Sequence, residues 1–360
     1  MDDAIPDIAR KGRGAVSNAA GRFERHASRR IDDGWHRDAE DDLPPLRTQV
    51  TRDASRTVIS RNESPDIPFA QSINPYRGCE HGCVYCYARP THAYLGLSPG
   101  LDFETKLFAK HDAPELLAAE LRKPGYKPMA IALGTNTDPY QPIERDLKIT
   151  RRILETLAAF SHPFSIVTKS DLVARDRDII GPMAARNLAH VFVSVTTLDR
   201  DLARTLEPRA PTPAKRLAAI RSLADAGCKV GVMAAPMIPA LNDAELEAIL
   251  EAARDAGATR AGYTLLRLPL ELKEIFGEWL EAHAPLKKKH VLSLVRDTRG
   301  GAFNSAEFGT RFVGHGPYAA LLNQRFMKAR ARLGLERNDW STDLAQFKPP
   351  PRQGDQLGLF

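Results

Sequence analysis

Residues 74–89 read NPYRGCEHGCVYCYAR, which places three of the chain's four cysteines, Cys79, Cys83 and Cys86, within eight residues; the fourth, Cys228, lies far downstream. The spacing is CxxxCxxC, with Tyr85 and Tyr87 on either side of Cys86. A structural zinc site takes four tetrahedral ligands, usually as two paired knuckles. Here the second pair is missing, so His81 or His92 would have to complete a Cys₃His set. An iron–sulfur cluster is also held by thiolates, and one of its irons can be left without a protein ligand, open to a small molecule. Three thiols suit that chemistry, and spacing alone leaves both readings standing.

Composition narrows the setting. Hydrophobic residues make up 43% and charged residues 27% of 360 positions, as in globular rather than disordered or membrane proteins. The length fits one large domain or two modest ones. No apolar run approaches the roughly 18 residues of a spanning helix, and the opening MDDAIPDIARKGRG has no apolar core of a secretory signal. Clustered cysteines of this kind serve a metal or catalysis in a reducing compartment, so the expected location is cytoplasmic, with no membrane partner. The net charge of +6 is unevenly spread: from Ala284 to Arg337 there are eleven Lys or Arg against three Asp or Glu. That basic stretch, with LKKKH and NQRFMKARARLGL, reads either as a solvated helix face or as a surface for a polyanion.

Along the chain, residues 1–42 are poor in large apolar side chains and read as a disordered leader. Residues 43–70 form an N-terminal extension with one short strand candidate, RTVIS. From Gln71 apolar strands alternate with helical segments, the pattern of a parallel α/β sheet. The strands are AQSINPY, MAIALGT, FSIVTKS, VFVSVTT, KVGVMAAP and RAGYTLLRL. The helices between them include APELLAAELRK, ERDLKITRRILETLAAF, TPAKRLAAIRSLADAG and NDAELEAILEAARDAG, the last two with polar starts and Gly stops. About six βα units over residues 71–283 suggest a partial (β/α) barrel, with a doubly wound sheet as the alternative. Residues 284–345 read as a basic, mainly helical extension and 346–360 as a flexible tail. In such folds chemistry gathers at the C-terminal ends of the strands. There the sequence places GTNTDPYQPIE, TKSD, SVTTLD and APMIPALND, whose recurring hydroxyl, carboxylate and Lys groups suggest a shared pocket.

These residues carry a resemblance. CxxxCxxC after a first strand, with GTNTDPYQPIE, TKS, VSVTT, EPRAP and PMIPALND in order, resembles the radical S-adenosylmethionine (SAM) superfamily, and within it the spore photoproduct lyase-like branch, over roughly Gln71 to Leu280. The resemblance implies a partial (β/α)6 barrel of radical SAM type. It also implies a [4Fe–4S] cluster on Cys79, Cys83 and Cys86, with S-adenosylmethionine on the open iron. The implied activity is reductive cleavage of that molecule to a 5′-deoxyadenosyl radical, which abstracts hydrogen from a substrate, with nucleic acid as one target class. A reductant such as flavodoxin or ferredoxin would be the partner. The alternative from another class is a zinc-stabilised nucleic-acid-binding module without catalysis.

By the same resemblance, Thr137 and Asp138 of TNTD match a serine and an aspartate that contact the cofactor. Lys169 and Ser194 match further cofactor contacts, and a cationic Lys beside the cofactor's carboxylate makes physical sense. Tyr87 matches a tyrosine placed to relay an electron or hydrogen, or to seal the cluster. The lyase's hydrogen-donating cysteine is replaced here by Thr135, whose O–H bond is far stronger than S–H; this argues against the lyase reaction itself. Arg209 and Glu207 are expected as a loop ion pair or pocket residues, Asn242 and Asp243 as helix caps, and Cys228 as core packing.

Overall fold

The structure, a computed structural model, describes residues 7–24, 46–336 and 340–351. Ten strands occur among them: β1 (Gln49–Arg52), β2 (Ile59–Arg61), β3 (Gln71–Ile73), β4 (Tyr76–Arg77), β5 (Lys106–Ala109), β6 (Ile131–Leu133), β7 (Phe164–Thr168), β8 (Ala189–Ser194), β9 (Val230–Met237) and β10 (Arg260–Leu265). The main sheet has the order β10-β9-β8-β7-β6-β3-β2. Its six strands from β3 to β10 pair in parallel, and β2 adds an antiparallel edge. Because β10 and β2 do not pair, the sheet is an open, partial (β/α)6 barrel. All six expected strands are present, and RTVIS supplies part of β2.

The strands sit where continuous apolar runs need cover on both faces. Ile131, Leu133, Ile166, Val191, Val193, Val230 and Val232 are each fully buried. Outer helices present one apolar stripe to them. In helix Leu246–Asp255 the buried residues are Leu246, Ile249, Leu250 and Ala253, the i, i+3, i+4, i+7 face of an amphipathic helix. Fully burying a side chain such as Ile249 or Leu250 contributes about 1.5–3 kcal/mol.

The sequence pattern from Glu144 to Phe160 suggested one helix, but the chain breaks at Lys148, which has φ 51°. Two helices result, Glu144–Leu147 and Ile149–Ala159. The Glu144 carboxylate turns back to accept the Thr150 amide at 2.9 Å, so a buried anion meets the positive end of the second helix.

A small sheet of β1, β5 and β4 lies outside the barrel; its strands are short, and β1 is wholly exposed, so they gave no apolar signal. Of the expected leader, residues 7–24 are described, and Arg13, Ala15 and Ser17 are buried in it; the rest lies outside the described residues. The basic extension forms helices Lys288–Asp297 and Gly316–Arg332. Of the expected tail, residues 346–351 are described, and Phe347 packs on the rings of Tyr126 and His162 at 5.5 and 5.3 Å. Among the described residues no helix is long and apolar enough to cross a membrane.

Candidate active site

The cysteine loop leaves β4 at the C-terminal end of the first barrel strand, and its shape is imposed from four sides. Gly82 has φ +68°, a left-handed conformation that glycine adopts without a Cβ penalty. Arg89, fully buried, donates from Nε to Cys83 O (2.9 Å) and from Nη2 to Gly82 O (3.0 Å). Its Nη1 donates to Pro99 O and Gly100 O (3.1 and 2.9 Å), and its charge is met by Glu104 at 2.5 Å. The Glu104 carboxylate also accepts the amides of Gly14 and Ala15 at 3.0 and 2.8 Å, which fastens the N-terminal segment over the loop. That approach is close: a Cβ on Gly14 would lie 1.9 Å from Gly82 O.

From the barrel side, Gln141 accepts the Glu80 amide at 2.8 Å and donates to Gly78 O at 3.2 Å. The EPRAP turn adds the Arg209 amide on His81 O (3.2 Å) and an Arg209–Glu80 ion pair (2.8 Å). The expected pairing of Arg209 with Glu207 is thus replaced. Glu207 instead meets Arg216 and the hydroxyls of Tyr85 and Thr196, all buried. Because a buried anion needs a partner, this network ties the loop to the ends of β8 and β9.

Cys79 and Cys83 are buried and Cys86 is partly so. Burial pushes all three thiols up, and the mutual proximity of the sulfurs adds to this at Cys79. A metal cation bound at the sulfur inverts that balance and holds it as thiolate. Among the described residues no three His, Cys, Asp or Glu groups converge on a point suited to one metal ion. Three thiols on one loop are a donor set that suits an iron–sulfur cluster with one iron left open to a small molecule. The two candidate histidines each have one ring nitrogen beside another group. His92 Nε2 lies 2.9 Å from Lys106 O, with the ring against Phe103. His81 Nδ1 lies 3.3 Å from Asp138.

The other expected residues gather around this loop, with differing freedom. Asn74 organises TNTD: its Oδ1 accepts the amides of Asn136 and Thr137 at 2.9 and 3.3 Å, and its Nδ2 donates to Thr135 Oγ1 at 3.1 Å. The Thr137 hydroxyl donates to Tyr76 O (3.2 Å). Asp138 accepts from the Tyr140 amide, the Thr168 hydroxyl and the Lys169 amide at 2.9, 2.7 and 2.8 Å. Burial opposes its charge, but His81 and these donors prevail and hold the carboxyl at about 2. Asp138 therefore locks the end of β6 to that of β7. The Lys169 ammonium is different: it lies 5.6 Å over the Tyr85 ring and forms no ion pair among the described residues. Ser194, 4% exposed, donates no side-chain hydrogen bond to them either. Tyr87 keeps 48% of its surface open, and its hydroxyl donates to Thr135 O. Cys228 lies in the hydrophobic core. Asn242 stands at the N-cap position of the turn Asp243–Glu245, as expected, but its side chain makes no capping bond; it donates to Thr196 O and Pro236 O at 2.7 and 3.0 Å, joining the ends of β8 and β9.

Sequence reasoning missed Glu104, Gln141 and the site role of Arg89. Gln141 stood in plain view in GTNTDPYQPIE; a lone Glu in LDFET carries no such mark.

An open barrel with three thiols on the loop after its first strand defines a class. Residues 73–253 match the model of the Radical SAM superfamily, and the chain belongs to that superfamily, whose enzymes use a [4Fe–4S] cluster and S-adenosylmethionine. An uncharacterized protein of Mycobacterium tuberculosis is 40% identical over 227 residues, covering 62% of this chain and 67% of its own. Another, of Methanocaldococcus jannaschii, is 32% identical over 199 residues, covering 55% and 71%. Among solved structures, a spore photoproduct lyase mutant superposes with a TM-score of 0.56 at 16% identity, over 79% of both chains. The same lyase complexed with dinucleoside spore photoproduct gives 0.54 at 14% identity, over 79% and 78%. At that identity the likeness is one of fold.

Proposed function

We propose that Cys79, Cys83 and Cys86 hold the cluster and that Lys169 and Ser194 meet S-adenosylmethionine, Lys169 through its carboxylate. The observation that carries this is three thiols on one loop, Cys79 and Cys83 buried and Cys86 partly so, with the unpaired Lys169 ammonium over the ring of Tyr85 on the same loop. When bound and reduced, these cofactors supply a radical able to take hydrogen from an unactivated C–H bond. The chain's part is to place and shield them. Arg89 and Glu104 fix the loop carbonyls, while Ala88 and Phe103 pack beside Cys79 and Cys86. Thr137 and Asp138 brace the strand ends, since their polar atoms are largely engaged. Tyr87, open at the mouth, is the residue we place in contact with the reacting groups.

Nucleic acid is the target class we favour, supported by the fold shared with a lyase solved with a dinucleoside photoproduct. Thr135 in place of a thiol argues that the substrate radical is quenched differently here. The setting we propose is the cytoplasm, with flavodoxin or ferredoxin as reductant. The basic C-terminal helix lends less support than its sequence suggested, because Arg325 and Arg332 pair with Glu247 and Glu251 of the barrel at 2.6 Å each.

Anaerobic reconstitution with iron and sulfide, then dithionite and S-adenosylmethionine, tests the proposal. A brown protein that releases 5′-deoxyadenosine, and loses both properties on Cys83→Ala, is the expected result. A colourless protein that holds one zinc and releases none would overturn it.

A further inference from the structure

Two residues past the end of β10, the chain presents Arg267 to the barrel mouth. Its guanidinium lies 5.2 Å from the centroid of Tyr87, directly after Cys86, and 5.4 Å from that of Phe312. Both distances are within the range of cation–π attraction. Phe312 is held in place by its own carbonyl, which accepts the Leu265 amide at 2.7 Å. Arg299 reinforces this junction. It is 3% exposed and donates to the carbonyls of Leu265, Leu266, Thr310 and Arg311, at 2.7, 3.0, 3.2 and 2.8 Å.

The arginines at this lip differ in what remains free. Arg299 is enclosed by carbonyls. Arg311 lies over Phe312 and Phe308, at 4.9 and 5.0 Å, but its charge is met by Asp66 at 2.5 Å. Arg267 forms neither an ion pair nor a hydrogen bond among the described residues, though it is half-buried. Burial works against its charge, with the charge of Arg311 adding to that effect. A guanidinium fixed between two rings, with its donors unused, is pre-organised for a two-point contact with an oxyanion. The rings at the two ends of the strip, Tyr87 and Phe308, are 48% and 56% exposed. Aromatic faces interleaved with guanidinium groups are how proteins hold unpaired bases and the backbone between them. An acidic peptide would call for several free cations, and of the arginines described at this lip only Arg267 is left without an ion pair or a carbonyl partner.

We infer that Arg267, gripped between Tyr87 and Phe312, anchors a backbone phosphate of a single-stranded nucleic acid segment laid across the mouth of the barrel. This places the neighbouring nucleotide over Tyr87 and Thr135. The inference rests on the nucleic-acid reading for its ligand class, and it names Arg267 as a substrate-positioning residue beyond the cofactor set.

The test uses the reconstituted full chain, a fluorescein-labelled oligothymidylate, and anisotropy between about 50 and 200 mM salt. Wild type is expected to bind with salt-dependent affinity. Arg267→Gln should weaken binding about tenfold, as expected for loss of one charge-assisted hydrogen bond, and should flatten the slope of log K against log salt by about 0.7. Arg267→Lys keeps the charge without the fork, so it should keep the slope and lose affinity. If the Gln variant fails to fold, the Lys variant carries the test. Arg332→Ala, on the outer helix, should change neither quantity. An unchanged affinity and slope in both Arg267 variants would overturn the anchor while leaving the nucleic-acid reading intact. Absence of oligonucleotide binding by wild type would sink both, as would Arg267-dependent binding of a labelled polyglutamate probe in its place.

Discussion

Glu104→Gln is the sharpest test of how the cysteine loop is held. The Arg89 and Glu104 side chains are both 0% exposed, and Glu104 also accepts two backbone amides. An amide of the same size can still accept through one oxygen. Its nitrogen, however, would face the Gly14 N–H with a second donor, and the Arg89 charge would be left without a counter-ion. Removing one partner of a buried pair costs about 3–5 kcal/mol. For scale, Arg204 and Asp201 form a pair with side chains 76% and 83% exposed, and pairs of that kind contribute about 0–1 kcal/mol. Urea unfolding followed by circular dichroism should therefore separate Glu104→Gln from Arg204→Ala by several kcal/mol. Iron retained per chain after gel filtration should also fall in the Gln variant, because Arg89 fixes the carbonyls of Gly82 and Cys83. Equal urea midpoints for the two variants would refute the view that this pair holds the loop.

Two further outcomes follow from particular contacts. His162 is fully buried, and burial lowers its pKa from 6.5 to about 4. The unfolded chain therefore binds a proton at higher pH than the native one, and stability that is complete above pH 6.5 is lost as pH falls towards 4, by up to about 3 kcal/mol. Melting temperatures across that window should fall less steeply for His162→Gln than for wild type; parallel profiles would refute the assignment. Gly14→Ala puts a Cβ 1.9 Å from Gly82 O, and overpacking of that kind costs about 1–3 kcal/mol. Gly277→Ala meets nothing within 4 Å in a helix interior and should stabilise by about 0.5–1 kcal/mol. Thermal melting should move in opposite directions for the two.

The six barrel strands were legible because a strand covered on both faces must be apolar at nearly every position, as IAL of β6 and VFVS within β8 are. The cysteine spacing and the strand-end motifs located the site for the same reason: few residue types can do that chemistry. What the sequence hid was of two kinds. β1 and the RGAVS segment bury little large apolar surface, so hydropathy passes over them; the segment is held by backbone amides on Glu104 and by a glycine's lack of a side chain. The second kind is charge placed inside. Arg89, Glu104, Glu207 and Arg216 look like surface residues until their partners, up to 122 positions away, are brought alongside. Asn242 was read only in part for a related reason: its place before a helix was visible, but only the fold brings Thr196 and Pro236 within reach of its side chain.

The final helix, Gly316–Arg332, meets one stretch of the barrel through polar matches. Tyr318 donates to Asp243 at 2.5 Å, and Arg325 and Arg332 pair with Glu247 and Glu251. Asp243, Glu247 and Glu251 stand four residues apart, one per helical turn, like the wards of a lock cut for one key. A chimera that exchanges this helix between relatives keeps the apolar seat of Leu322 and Phe326, and should thus dock best where those three carboxylates travel with it. The extension and the barrel segment 243–255 constitute one inheritable unit, although more than sixty residues separate them along the chain.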